Sequence, residues 1–322
     1  MTAPDTAATP QLAPGATATG APGSPGRLGA LGPVGLVLAG GISVQFGGAL
    51  AVTLMPRAGA LGVVALRLLV AAVVLLVICR PRLRGHSRTD WGTVVVFGVT
   101  MAAMNGLFYQ AVDRIPLGAA VTLEVLGPLA LSVVVSRRPL NLIWAGLALV
   151  GVFLLSGGGG HGGDGGGFGG GLDLVGVAFA LGAGAMWAAY IVFSARTGRR
   201  FPQADGLALA MAVGAVLFLP LGLAESGTKL ADPVTLGLGA AVALLSSVLP
   251  YTLELLALRR MPASTFAILM SLEPAVAATA GFLILDQALT TIQAGAIALV
   301  VAASMGAVRT QVGRPKAAVP EA

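Results

Sequence analysis

The sequence predicts an all-α membrane protein of ten transmembrane helices, arranged as two inverted five-helix repeats. Three observations carry that prediction. Of 322 residues, 56% are hydrophobic and only 10% are charged, against about 25% charged in an ordinary soluble domain. Apolar runs of about 18 residues or more recur along the chain, the length that reads as a membrane-crossing helix. The basic residues fall in short loops that alternate between Arg-rich and Arg-poor. The isoelectric point is near 10.4 and the mean hydropathy +0.91. Nucleic acid is nonetheless excluded as a partner, because the cations sit between apolar spans, where they report orientation in a membrane.

Residues 1–30 are rich in Pro, Ala, Gly and Thr and almost uncharged, which predicts a disordered cytoplasmic tail. No compact basic segment opens the first apolar stretch, so a cleavable signal peptide is not expected. Spans are expected at roughly 31–54, 60–79, 91–111, 116–136, 139–156, 172–194, 204–223, 235–258, 262–285 and 289–308. They are continuously apolar, whereas barrel strands would alternate with period two. The first repeat is then 31–156 and the second 172–308. Between them, residues 157–171 read GGGGHGGDGGGFGGG, a flexible external linker. A phosphate-cradling loop would need a strand before it and a Lys-Ser/Thr helix start after it, and neither is present. Residues 309–322 form a short cytoplasmic tail.

Orientation follows from the cations. With the N-terminus inside, Arg57, Arg114 and Lys229 lie outside and Arg67 lies within a span. All the other Lys and Arg residues fall inside. The positive-inside rule therefore places both termini in the cytoplasm of a plasma or inner membrane. Dropping one helix would scramble the alternation.

The repeat is visible at a shift of 146 residues, which lays Leu107–Pro128 on Leu253–Pro274 without a gap. Identical pairs include Arg114/Arg260, Pro116/Pro262 and Pro128/Pro274. Five helices per half invert the second copy, a recurring transporter plan with its site at the repeat interface. The first helix of each half also carries small residues every four positions: Ala39, Ser43, Gly47 and Ala51, then Gly176, Ala180, Gly184 and Ala188. Such faces let backbones approach closely in lipid. Ordinary packing explains them, and a border between the moving halves is the sharper reading.

Four ionisable residues fall inside spans: Arg67, Glu124, Glu254 and Glu273. Charge at the bilayer centre costs roughly 2.5–3.5 kcal/mol on insertion scales, so each is a functional candidate. A carboxyl that takes and releases a proton as its access alternates ties flux to a proton gradient. Glu273 is nearest mid-membrane. Arg67 and Glu124 lie at matching depth from the outer face and are expected to form an ion pair. Glu254 is near the cytoplasmic end, within reach of Arg259 or Arg260. Pro128 and Pro274 are expected to break their helices and free backbone carbonyls to line a cavity. Gln45, Asn105, Trp187, Tyr190 and Tyr251 are further candidates, with Tyr109, Ser246 and Ser247 the remaining polar groups of the set. Asn105 and Tyr251 share one repeat position. Both charge signs beside hydrogen-bonding groups suit a zwitterion such as an amino acid. For each residue the plain alternative is a buried polar group that fixes helix packing.

No Ser/His/Asp set, Walker lysine loop or metal-spaced Cys/His group is present. The chain therefore reads as neither an enzyme nor a primary pump, with no cofactor and no metal. Its single Cys79 allows no internal disulfide.

Three stretches, MNGLFYQAVDRIPLGAAVTLEVLGPLALSVVVSRRPL, LDLVGVAFALGAGAMWAAYIVFSA and LPYTLELLALRRMPASTFAILMSLEPAVAA, resemble the EamA-type branch of the drug/metabolite transporter superfamily. Within it, all three resemble the inner-membrane threonine/homoserine exporter group, with LEVLGPL and MSLEPA the segments most specific to it. The resemblance implies secondary, proton-driven export of small amino acids. It carries over Glu124, Gly127 and Pro128 as the first-repeat signature, and Glu254, Glu273 and Pro274 as the second. Expected partners are an amino acid-like solute, protons and the bilayer, with a homodimer compatible. Rival readings are an exporter of another drug or metabolite, a channel, and a non-transporting membrane scaffold or sensor.

Overall fold

A computed structural model of the protein describes residues 32–136, 139–155, 172–201, 205–258, 260–261 and 263–312. The expected tail 1–30, the linker 157–171 and residues 313–322 of the C-terminal tail lie outside them. Among the described residues every regular element is helical. Seven helices among the described residues are long and apolar enough to cross a membrane.

The chain opens with α1 (Pro33–Cys79), a 47-residue helix with a break inside it at Gly59, φ 62°. That conformation suits glycine, because a side chain there would clash with its own backbone. The segment after the break begins with unpaired N–H groups. Glu225 accepts two of them, from Leu61 at 2.7 Å and Gly62 at 3.1 Å. Ser226 donates to the carbonyl of Ala58 on the other side of the break. A residue more than 160 positions away thus caps an internal helix start.

Next comes α2 (Arg88–Val112), opened by a capping box between Ser87 and Asp90. Two short helices follow, α3 (Leu117–Glu124) and α4 (Leu126–Ser136), then α5 (Pro139–Leu155). After the linker come α6 (Leu174–Gly198) and α7 (Asp205–Ser226), a 3₁₀ turn at Gly227–Ala231, and α8 (Pro233–Ala243). A π-helical turn, Leu244–Val248, joins α8 to α9 (Leu249–Leu258). The chain closes with α10 (Ala263–Met270), α11 (Glu273–Leu285) and α12 (Thr291–Val312).

The breaks have identifiable causes. Pro128 supplies no N–H to the carbonyl of Glu124, four residues back, and Pro274 none to Met270. Helix α3 ends at Glu124 and α10 at Met270. The interruptions therefore fall upstream of the prolines rather than at them. The proline ring acts on the carbonyl four residues back and on the residue before it.

Packing brings the two sequence halves against each other. Helix α1 lies along α7 and along α8 and α9; α2 lies along α6; α5 pairs with α12; and α11 packs on α3 and α1. The core centres on Leu54, Val63, Leu68, Met101, Tyr109, Leu123 and Met211. Large apolar side chains such as Val73, Val77, Val99, Leu149, Phe153 and Val216 face outward, as a lipid-facing surface requires and a water-facing one avoids.

Both small-residue faces touch the opposite half. Gly40, Ser43 and Gly47 of α1 lie on residues 245–254, and Gly176 and Gly184 of α6 lie on Ile115 and Glu124. At Gly127 the backbone of α4 meets Gly184, whose carbonyl occupies the space a Cβ on Gly127 would need.

Candidate functional site

These contacts enclose a cavity of about 1180 Å³, lined by Arg67, Glu124, Glu254 and Glu273. The four ionisable residues singled out from the sequence thus meet in one space. Gln45, Asn105, Trp187, Tyr190, Tyr251 and Pro128 line it too. Pro274 is buried in the first turn of α11, beside Glu273.

Glu273 is 8% exposed and follows directly on the break between α10 and α11. Among the described residues its carboxyl makes no hydrogen bond or ion pair. Glu124 is the last residue of α3, where its carbonyl has lost its intrahelical donor and rests over Gly184. Glu254 projects from α9 beside Gly40. It makes no ion pair with Arg260, and Arg259 lies outside the described residues. Asn105 donates its amide to Met101 in its own helix at 2.8 Å.

Arg67 departs from expectation. Matching depth predicts an ion pair with Glu124, but the described ion pairs do not include one. The guanidinium is already committed elsewhere. Its Nε donates to Ser247 Oγ at 3.0 Å, Nη1 to the Tyr109 hydroxyl at 3.3 Å, and Nη2 to the Ser246 carbonyl at 2.9 Å. It also stands over the Tyr109 ring, 5.7 Å from its centre. Depth along a helix is legible in sequence, but the direction of the side chain is not.

The Ser246 carbonyl is open because Pro250 lies four residues beyond it and has no N–H. The N–H of Leu249 reaches back five residues, to Leu244. Leu245 therefore loses its donor as well, and Ser43 of α1 donates to that carbonyl at 2.6 Å. One proline thus opens two adjacent carbonyls of the second half, and Ser43 and Arg67 of the first half fill them. Sequence reading missed Ser43 as a polar partner, and missed the consequence of Pro250. The signal was a proline inside a span, which always orphans the carbonyl four residues before it.

Polar contacts also tie the ends of the bundle. Arg114 pairs with Asp173 at 3.5 Å and Arg200 with Asp90 at 2.6 Å. His86 stacks on Phe201 with ring centres 4.2 Å apart. Gln287 accepts the N–H of Leu117 at 3.1 Å. Asp232 caps α8 by accepting from Val234 and Thr235, each at 3.0 Å. The Thr235 N–H holds the Asp232 carboxyl below its ordinary range against the opposing pull of desolvation. Among the described residues no group of three or more His, Cys, Asp or Glu is placed to hold a metal ion.

An apolar exterior around a charged, solute-sized cavity is the form of a polytopic membrane protein. The chain belongs to the EamA-like transporter family, whose pattern matches residues 174–309, and it is similar to curated transporters over most of its length. It is 41% identical over 268 residues to the threonine/homoserine exporter RhtA of Salmonella typhimurium (strain LT2), covering 83% of this chain and 88% of that one. It is 40% identical over 275 residues to the protein of the same name from Escherichia coli (strain K12), covering 85% and 90%. An uncharacterized transporter of Bacillus subtilis (strain 168), YwfM, is 28% identical over 208 residues. One crystal structure, 19% identical, matches with a TM-score of 0.53 over 87% of this chain and 97% of its own. At that identity the likeness speaks to the fold alone.

Proposed function

We propose that this protein exports small amino acids of the threonine and homoserine kind across the plasma or inner membrane, by proton antiport with alternating access. The observation that carries the reading is the cavity, which gathers three carboxyls and one guanidinium. A zwitterion needs both signs. The surplus of acidic groups, crowded in a space of low dielectric, leaves room for a proton or an ammonium group as counter-charge. Relatives about 40% identical that are named as threonine/homoserine exporters supply the substrate class.

The architecture for this mechanism is ten spans in two inverted five-helix repeats, with α1 crossing twice about Gly59. Its 47 residues make about 70 Å of helix at about 1.5 Å per residue, against about 30 Å of hydrocarbon. The broken helices support the repeat. Both ends of α10 lie 146 residues beyond those of α3, in the same register as the sequence match. Loops assigned to one side also touch one another: 58–62 with 225–226, Arg114 with Asp173, and Leu117 with Gln287 on the outer side, and 86–90 with 200–201 on the inner side. Both termini then lie in the cytoplasm. Glu273 is the leading proton carrier, with Glu124 and Glu254 beside it and Arg67 opposite in charge.

The test is counterflow in proteoliposomes loaded with a panel of amino acids and unrelated metabolites. Saturable exchange of labelled threonine and homoserine, driven uphill by a proton gradient, is the expected result. Exchange confined to other solutes would reassign the substrate, and no saturable exchange at all would remove the transport reading.

A further inference from the structure

We propose that Arg67 is the receptor for the carboxylate of the transported amino acid; the inference rests on the amino-acid reading above. A guanidinium carries five N–H donors in a planar fork that matches a carboxylate with two parallel bonds. Three of those donors in Arg67 are occupied, one on Nε, one on Nη1 and one on Nη2. One N–H on each terminal nitrogen remains without a partner among the described residues, and Arg67 lines the cavity. Each of its three bonds goes to a neutral acceptor: a serine hydroxyl, a tyrosine hydroxyl and a backbone carbonyl. They fix the plane of the fork and place no anion in direct contact with it.

The protein's own carboxyls in the cavity do not take this place, because neither Glu124, Glu254 nor Glu273 forms an ion pair with Arg67. A half-buried cation facing a cavity gains most from an anion that can reach it, and here the anion arrives with the substrate. The acidic residues are then left to meet the ammonium group and the coupling proton. The division assigns one end of the zwitterion to the guanidinium and the other to the carboxyls.

The anchoring makes Arg67 dependent on conformation. Its fork is held by Ser246 and Ser247 of the π-helical turn in the second half and by Tyr109 of the first. A bond from substrate to Arg67 therefore joins the solute to the contact between halves that Pro250 creates.

The experiment is binding of L-threonine and L-threoninamide to the purified full-length protein, for wild type, Arg67→Gln and Arg67→Lys. The amide keeps the ammonium group and side chain and replaces the carboxylate by a neutral carboxamide. Wild type is expected to bind threonine about 10- to 100-fold more tightly than the amide, the scale of charge-assisted hydrogen bonds. Arg67→Gln is expected to bind both ligands alike, at the affinity wild type shows for the amide. Arg67→Lys keeps the charge without the fork and falls between. If wild type binds the two ligands equally, or Arg67→Gln still prefers threonine, the carboxylate lies elsewhere and the proposal is overturned while amino-acid binding stands. If wild type binds neither threonine nor any other amino acid, the underlying reading falls and takes this proposal with it. Where Arg67→Gln does not purify as a folded species, the wild-type preference and Arg67→Lys decide the question.

Discussion

Arg67 donates to the carbonyl of Ser246 at 2.9 Å, the place that an N–H at position 250 would take in an unbroken helix. The two residues come from opposite halves of the chain, so this bond makes a helix irregularity of one half the anchor for a charge of the other. Restoring the N–H with Pro250→Ala is expected to pull the π-helical turn toward regular α-helix and release Arg67 from Ser246. Thermal stability in detergent should hold or rise, because an interior proline is replaced by the best helix former. Threonine counterflow should fall about 10-fold or more, on the scale of a hydrogen bond to a charged group. A variant with full exchange would separate the anchor from transport.

Ser43→Ala removes the neighbouring link, the 2.6 Å bond to Leu245. It leaves a carbonyl with no donor, at a cost of about 1–3 kcal/mol. The expected result is a lower melting temperature than wild type. Ser43→Thr, which keeps the hydroxyl, should recover part of the loss.

Close backbone approach gives a contrast between two glycines. Gly127→Ala would place a methyl group on the Gly184 carbonyl, whereas at Gly40 a Cβ meets nothing nearer than 3.7 Å. Overpacking of a tight contact costs about 1–3 kcal/mol. Gly127→Ala should therefore lower the melting temperature clearly, and Gly40→Ala should leave it nearly unchanged. Equal effects would mean that the α4–α6 contact is looser than described.

Asp232 gives a pH dependence outside the membrane spans. Its carboxyl lies below its ordinary value of 3.8, first because of the Thr235 N–H. A depressed folded-state value means that the cap stabilises fully above the ordinary value and is lost as pH falls through the folded one. Wild type should therefore melt above Asp232→Ala by a constant margin between about pH 7 and about pH 5, and the margin should close at lower pH. Melting curves across that range check it. A margin that grows on acidification would contradict the assignment.

Much of this site is legible before any coordinates. The in-span charges Arg67, Glu124, Glu254 and Glu273 announce themselves by residue type, because hydrocarbon tolerates them only around a shared polar space. Pro128 and Pro274 announce their breaks, with an offset set by proline's reach of four residues. Side-chain direction is a different matter. Arg67 shares its depth with Glu124 yet bonds to Ser246, Ser247 and Tyr109, because three nearer acceptors compete for it. The caps supplied by Glu225 and Gln287 are invisible in sequence for a related reason. Each satisfies a backbone N–H more than 160 positions away, and nothing local marks that pairing.

The proposed proton step assigns the coupling proton to Glu273, and it is tested most directly in proteoliposomes with Glu273→Gln. The substitution keeps the shape and removes the titrating group. The variant is expected to retain its fold and its binding of threonine and to lose uptake driven by an imposed pH gradient. Proton-driven flux at the wild-type rate would show that the coupling proton travels by another residue.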